Sequence, residues 1–492
     1  MAIRVRAHFV RDGWRRWQPG RQICDEVEKK QRTSQSDDAR VGEATAATMT
    51  AEPATAGAAA AAATLHDDRR CTFYMVQKQR RCGMMCKKGC DMCSEHSGFS
   101  SQGTAARRVP CPLDPKHSVC ESNLRKHLLK CSKLKLRHAN DDKPYYCLDF
   151  NAAAHRCHDV GAGSGGDADG GVNDDNADIN EIIVKMIPIL EDVYSKNFVD
   201  ELPLDVKRND FMLNGRFNQL VANKKHAIQQ SSLIQHLCTR NLTRNTSFVE
   251  FGCGRAELSR YVNQFVTHEN TARSSPHSQH FVLIDRASNR MKFDKKFADD
   301  FEEMTGSGAP HPMTHRYRID IKDLKLDPLL QDGNYVAISK HLCGVATDLA
   351  LRCIANSEKL VQPGQLQLQG LCIAMCCRHI CDSEEYVNPA YIRELIRDYD
   401  ADYTSFFRAL QKMCSWATCG RKPGLKDDDT NGHFTQLTVQ QRESLGFMAR
   451  RIIDHGRYKW IASIVPQDYK VELLRYVPLN VSLENVAMII HK

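Results

Sequence analysis

A chain of 492 residues, 26% of them charged and with a formal net charge of +8, has room for two to four domains and for a large buried core. No apolar run approaches the roughly 20 residues that cross a bilayer, and no hydrophobic signal core opens the chain, which argues against a helical membrane protein and a secreted disulfide scaffold. The 21 cysteines therefore read as reduced thiols of an intracellular protein, and where they cluster, metal ligation is expected before bridging.

Residues 1–68 carry no periodic apolar pattern and end in AEPATAGAAAAAAT, a low-complexity composition that reads as a disordered or weakly helical tail. The first 22 residues are Arg-rich with one acid, Asp12. That pattern leaves open a mitochondrial presequence, a basic tail, or a true start at Met49; the expected location is otherwise cytoplasm or nucleus.

In 69–100, Cys71, Cys82, Cys93 and His96 are separated by ten, ten and two residues, with Cys86 and Cys90 as competing thiols. So polar a segment has too little apolar mass to fold without a metal, and one zinc with thiolate and imidazole ligands is expected. Residues 108–138 contain CPLDPKHSVCESNLRKHLLKC. Here Cys111, His117, His127 and Cys131 form a second tetrahedral set, and Cys120 is left over. His127 and Cys131 are expected on one face of a single helix starting after Cys120, with Cys111 and His117 in the preceding turn. Lys126, Lys130, Lys133 and Arg137 recur along that helix as a cationic stripe. Between Arg69 and Arg137, sixteen Lys or Arg outnumber four acids. Both features suit an RNA backbone, with a solvated charged face as the plainer alternative.

The Gly- and Asp-rich stretch 159–180 reads as a flexible linker to a globular domain over 181–492. That domain opens with the amphipathic pattern EIIVKMIPILEDVYSKNF, where Pro188 can kink a helix. Short apolar runs then alternate with helical patterns, which predicts an α/β fold: a Rossmann-like parallel sheet with crossover helices. Strands are expected at 248–251, 280–284, 317–321, 335–339 and 368–375, and helices at 257–266 and 347–356. KVELLRYVP and NVAMIIHK are expected to close the sheet as an antiparallel pair.

In SFVEFGCGRAELSRYV a strand ends in Glu250 and turns through Gly252 and Gly254 into a helix. Glycines there let the backbone approach a ligand. Glu257 stands where a dinucleotide fold carries its third glycine, a poor neighbour for pyrophosphate. The E-x-G-x-G form instead resembles the first motif of class I S-adenosylmethionine-dependent methyltransferases. HFVLIDR places Asp285 where an acid meets the cofactor ribose, with THENTARSSPHSQH before it as a surface loop. Asp320 and Asp323 end the next strand, and either can meet the adenine edge, Asp320 first, since a helix cap or exposed loop position is the plainer reading of Asp323. SKHLCGVATDLALR brings Lys340 and His341 to the carboxyl end of the fourth strand, where chemistry gathers in open α/β sheets; Asp348 can be a structural cap. AMCCRHIC brings His379 and several cysteines to the same rim, too crowded to close one tetrahedron by themselves.

The CHHC finger resembles one shared by RNA-binding proteins, including a component of the minor spliceosome. Together with the Cys-Cys-Cys-His spacing, EFGCGRAELS, SKHLCGVATDLALR and CCRHIC, it makes most of 71–492 look like the tRNA 2′-O-ribose methyltransferase family that acts on the fourth nucleotide of the acceptor stem. The resemblance implies S-adenosylmethionine and two zinc ions as cofactors, tRNA as partner, and cytidine or adenosine ribose as acceptor. Lys340 is then the first candidate base, with His341 and His379 behind it. A non-catalytic RNA-binding or splicing protein with an inert second half is the rival, against which Glu250, Gly252, Gly254 and Asp285 speak.

Overall fold

The apolar runs bounded by turn residues form most strands of one large sheet, and two short hairpins arise in the Cys-rich segments. The computed structural model describes residues 70–75, 80–82, 84–86, 91–93, 108–153, 175–217, 224–273, 279–289, 292–306, 311–419, 424 and 426–492. The tail 1–68, His96, Cys90 and linker residues 159–174 lie outside them, as does the side chain of His117. Two compact units are present, 1–100 and 101–492.

The first unit holds the hairpin of β1 (Tyr74–Met75) and β2 (Arg80–Arg81). The second opens with β3 (Arg108–Cys111) paired to β4 (Asp114–Cys120). Its main sheet contains β5 (Thr246–Phe251), β6 (His280–Ile284), β7 (Met313–Tyr317), β8 (Asn334–Cys343), β9 (Leu368–Cys376), β10 (Lys470–Arg475) and β11 (Val486–His491), in the order β10-β11-β9-β8-β5-β6-β7. Strands β5 to β9 are parallel, and β11 runs antiparallel to both β9 and β10. The winding reverses between β5 and β8, so the carboxyl ends of these two strands flank the crevice in which such sheets bind ligands.

Successive residues of a strand face opposite sides. Accordingly Phe248, Phe281, Leu283 and Ile338 enter one buried layer and Val249, Val282, Ile284 and Ala337 the other. Helices cover both faces, which is why these strands read as nearly unbroken apolar runs. A third buried cluster joins the helices Asp175–Asn197, Tyr403–Cys414 and Val439–Ile464. The last starts at a capping box in which Thr438 and Gln441 satisfy each other's backbone N–H groups.

Several expectations shift. The helix Asp175–Asn197 begins inside the stretch read as linker and continues through Pro188. The helix after the glycine turn runs from Glu257 to Arg273, taking up half of the expected surface loop. β7 lies four residues upstream of its expected place, and Ile321–Asp323 form a 3-10 turn capped by the Asp320 carboxylate.

The CHHC segment departs most. The expected single helix is two, Leu124–Leu128 and Ser132–His138, with Cys131 at the break in extended backbone, ψ 136°. The stripe from Lys126 to Arg137 is therefore not one helical face. Nor is the finger held at the end of a flexible tether. Lys133 Nζ lies 2.6 Å from Asp320 Oδ2, and Asn140 Nδ2 donates to Arg318 O. Further on, Cys147 N–H donates to Asp323 O and Asn151 Nδ2 to Ile321 O and Leu324 O. Asn140 and Asn151, which make three of these bonds, are themselves buried, so the finger is built onto the sheet domain through 139–153.

Candidate active site and metal centres

At the end of β5 the chain turns through Gly252 (φ 63°) and Gly254 (φ 52°), conformations that L residues avoid. A side chain on Gly254 would meet nothing within 4 Å. Backbone conformation, not crowding, requires glycine there, and the turn borders open space. Asp285, at the end of β6, accepts from Gly254 N–H and Ala287 N–H, each at 2.7 Å. Arg316 clamps the turn from the other side, donating to Gly254 O at 2.9 Å and holding Asp294 at 2.7 and 2.8 Å.

Glu250 is 3% exposed and accepts from Ser259 N–H, near the start of the following helix. Burial pushes its carboxyl up to about 7, while the bonds from Ser259 hold it lower than burial alone would. Arg216, from the helix Asp210–Phe217, pairs through Nη2 with Glu257 at 2.5 Å. Its buried Nε and Nη1, and Gln230 Oε1, have no partner among the described residues. Buried polar atoms in native sites are satisfied by something. A ligand carrying both an ammonium or sulfonium and a carboxylate fits this set: Glu250 suits its cation, Arg216 its anion, and the remaining lone pairs of Asp285 its hydroxyls.

Strand β8 brings two of the candidate residues, Lys340 and His341, to its carboxyl end. Lys340 Nζ lies 3.0 Å from His226 Nδ1 and 2.8 Å from His341 Nε2, and the two imidazoles meet edge to face. A register irregularity between Lys340 and Leu342 and a left-handed His341 (φ 70°) aim the two neighbouring side chains together. Burial pushes Lys340 down to about 8, with Arg216 adding to the fall and Glu257 and Glu250 opposing it. His341 is pushed down to about 4 by desolvation, then by Lys340 and His226. His341 is thus a neutral imidazole at neutral pH, with one ring nitrogen able to accept. Desolvation, then Lys340, lowers His226 as well.

His226 sits on the helix Lys224–Thr239, 114 residues before Lys340, and a lone histidine in a helical pattern gives no signal of this. Arg316 and Arg216 were equally silent. His379 stands apart from the Lys340 pair in its bonding: its ring lies 3.9 to 4.0 Å from Cys419 Sγ. Asp320 is occupied by Lys133, with Arg286 at 3.8 Å, so its carboxylate joins finger and domain.

The motifs around this rim are held by buried charges. Arg457 pairs with Asp348 at 2.5 Å and Arg378 with Asp454 at 2.6 Å, all four side chains at most 1% exposed. Glu484 binds Arg378 and Arg450. Gly344 lies so close to Ile380 O that a side chain there would collide with it at 2.4 Å. The unusual residues of SKHLCGVATDLALR and CCRHIC thus lock two strand ends against the last long helix.

The two metal-ligand sets are assembled as far as they are described. Cys71, Cys82 and Cys93 converge, as do Cys111, His127 and Cys131. The thiol pairs stand 3.9 Å (Cys82 to Cys93) and 3.8 Å (Cys111 to Cys131) apart. Zinc–sulfur bonds of about 2.3 Å give a tetrahedral edge near 3.8 Å, so both sets fit zinc. Cys86 packs beside the first set without entering it.

A family model described as methyltransferase TRM13 matches residues 228–491. A U11-48K-like CHHC zinc finger matches 108–132, and the CCCH zinc finger in TRM13 protein matches 69–97. The tRNA:m(4)X modification enzyme TRM13 of Vanderwaltozyma polyspora is 45% identical, covering 86% of this chain and 97% of that protein. Its namesake in Saccharomyces cerevisiae is 43% identical, covering 86% and 96%. The homolog in Mus musculus is 27% identical, covering 86% and 94%. The solved plantazolicin methyltransferase BpumL in complex with SAH aligns at 12% identity and a TM-score of 0.23 over 64% of this chain and 99% of that one, too slight a likeness to build on. On its matched length and on its relatives, the chain belongs to the TRM13 methyltransferase family.

Proposed function

We propose that this protein transfers a methyl group from S-adenosylmethionine to the 2′-hydroxyl of nucleotide 4 in the tRNA acceptor stem, acting inside the cell in cytoplasm or nucleus. The observation that carries the reading is Lys340, held by two imidazoles beside the Glu250–Gly254 turn at the switch point of the sheet. Among the described residues no helix is long and apolar enough to cross a membrane.

When bound, the cofactor supplies an electrophilic methyl group on a sulfonium. Glu250 and Arg216 would hold its amino-acid portion, Asp285 its ribose, and Gly252 and Gly254 leave it room. A 2′-hydroxyl is a weak nucleophile and must lose its proton as it reacts. Neutral Lys340 has two N–H bonds and one lone pair. With both N–H groups donated to His226 Nδ1 and His341 Nε2, the lone pair is what remains to take the hydroxyl proton. A depressed pKa is what makes that neutral form available near neutral pH.

Exposed Arg125, Lys126, Lys130 and Lys135 on the finger face solvent and suit the phosphates of an RNA helix, which is read by shape and backbone. Each phosphate contact contributes about one unit to the salt slope of binding. Lys126→Ala and Lys130→Ala should each lower that slope by about one in filter binding, whereas Lys133→Ala should leave it unchanged, since Lys133 is occupied by Asp320.

A cationic ligand beside Glu250 favours the ionised carboxylate, whose unliganded pKa is about 7. The dissociation constant for S-adenosylmethionine should therefore weaken up to tenfold per pH unit below that value and level off above it, as isothermal titration from pH 5.5 to 8.5 would read. Glu250→Gln should flatten the profile.

The reading itself is tested by incubating the full chain with methyl-labelled S-adenosylmethionine and unmodified tRNA, then digesting to nucleosides. Label in 2′-O-methylcytidine or 2′-O-methyladenosine is expected. No label, or label only on a base, would overturn the assignment.

A further inference from the structure

Beyond the two finger sets, the described residues bring together a third group of ligand atoms, the thiols of Cys343, Cys376 and Cys377, all within 4.8 Å of one another. Two strand ends supply them. Cys343 closes β8 and is the cross-strand partner of Cys376, which closes β9, with their Sγ atoms 3.2 Å apart. Consecutive residues of a continued strand would face opposite sides. Cys377 escapes that rule by adopting a left-handed conformation (φ 51°, ψ 46°), with its N–H fixed on Glu484 Oε1 at 2.9 Å. That region is one that residues other than glycine rarely adopt. The turn brings its thiol back to the side of the other two.

Thiols that merely fill space are distributed differently in this protein. Cys353 and Cys372 are buried among apolar side chains, with no other sulfur grouped with them among the described residues. Cys343 and Cys377 are only half-buried, and they meet other sulfurs. Thiols are weak hydrogen-bond partners for one another, whereas three thiolates suit a soft divalent ion. From the sequence CCRHIC alone the cysteines are too crowded for one tetrahedron. The third ligand comes from the other motif, 33 residues upstream of Cys376.

We propose that Cys343, Cys376 and Cys377 bind a third zinc ion as three thiolates, leaving the fourth position to water or another exogenous ligand. Three protein ligands with an open position are the arrangement of a zinc that meets ligands, as opposed to a closed structural site. Binding opens the Cys343–Cys376 pair from 3.2 Å towards the edge of about 3.8 Å seen in both fingers. It releases the thiol protons to solvent, one for each Cys that is not already a thiolate, with no electron transfer.

Metal content reads this independently of methyl transfer. Full-length protein prepared without chelator and analysed by inductively coupled plasma mass spectrometry should hold three zinc ions per chain. Cys377→Ser and Cys343→Ser, both at half-buried positions, should each hold two. A finger variant, Cys131→Ser, should also hold two, and its combination with Cys377→Ser one. Two ions in the unmodified chain, or three that persist in both rim variants, would overturn the proposal. So would a disulfide between Cys343 and Cys376 in the purified chain, read as two missing thiols on titration in denaturant.

Discussion

Asp348→Ala should destabilise the sheet domain by about 3 kcal/mol, because it takes the nearest carboxylate from the fully buried guanidinium of Arg457 and leaves it only Asp454, at 3.5 Å. Both side chains are at 0% exposure, and Arg457 Nη2 bonds both Asp348 Oδ2 and Gly344 O. Deleting the acid therefore leaves the Gly344 O bond as the remaining tie from Arg457 to the start of the helix Val345–Ala355, and loosens that helix from the long helix Val439–Ile464. Denaturant midpoints would measure the loss. Asp348→Asn should lose less, since its amide oxygen still accepts. Replacing Asp348 by Leu and Arg457 by Met together should recover part of it, as removing both buried charges costs less than stranding one. A midpoint unchanged in Asp348→Ala would mean that solvent reaches Arg457, against its burial.

Lys340→Ala should lower the single-turnover rate of methyl transfer by about 10²- to 10⁴-fold, the usual contribution of a positioned general base, with S-adenosylmethionine affinity changed by less than about threefold. The pH profile separates a base from a mere support. In the unmodified enzyme the rate should rise with pH and reach half its plateau near Lys340's value of about 8. The sign follows from the chemistry: below that value lysine is protonated and cannot accept. Lys340→Ala should lose that rise along with the rate. His226→Ala and His341→Ala should each shift the midpoint and lower the rate by less, because each removes one of two acceptors while the amine remains. Full activity in Lys340→Ala would transfer the base role elsewhere.

The parts of this protein that repeat a local rule were legible, and those made by distant pairing were not. β6 was readable to the residue, since HFVLI is wholly buried and bounded by polar sequence. β7 was misplaced because, as an edge strand, MTHRY is half-exposed and polar, while the more apolar IDI that follows is irregular chain held by the Asp320 cap. The glycine turn and the acids before and after it could be read, since a strand, a turn needing positive φ and a helix lie within a few residues. His226 could not, because its partner is 114 residues away. A spacing of four between His127 and Cys131 fits a continuous helix and an interrupted one equally, and the extended backbone of Cys131 between the two helices is what distinguishes them. The finger's attachment rests on Lys133 and Asp320, a pairing of two common surface residue types that no pattern announces.

The most direct test of the proposed activity uses four tRNA transcripts, identical except that one is unmodified and the others carry a single 2′-deoxyribose at nucleotide 3, 4 or 5. With the full chain and labelled S-adenosylmethionine, the unmodified transcript and those altered at 3 and 5 should accept one methyl group, and the transcript altered at 4 none. Undiminished methylation of the transcript lacking the hydroxyl at nucleotide 4 would contradict a 2′-O transfer at that position.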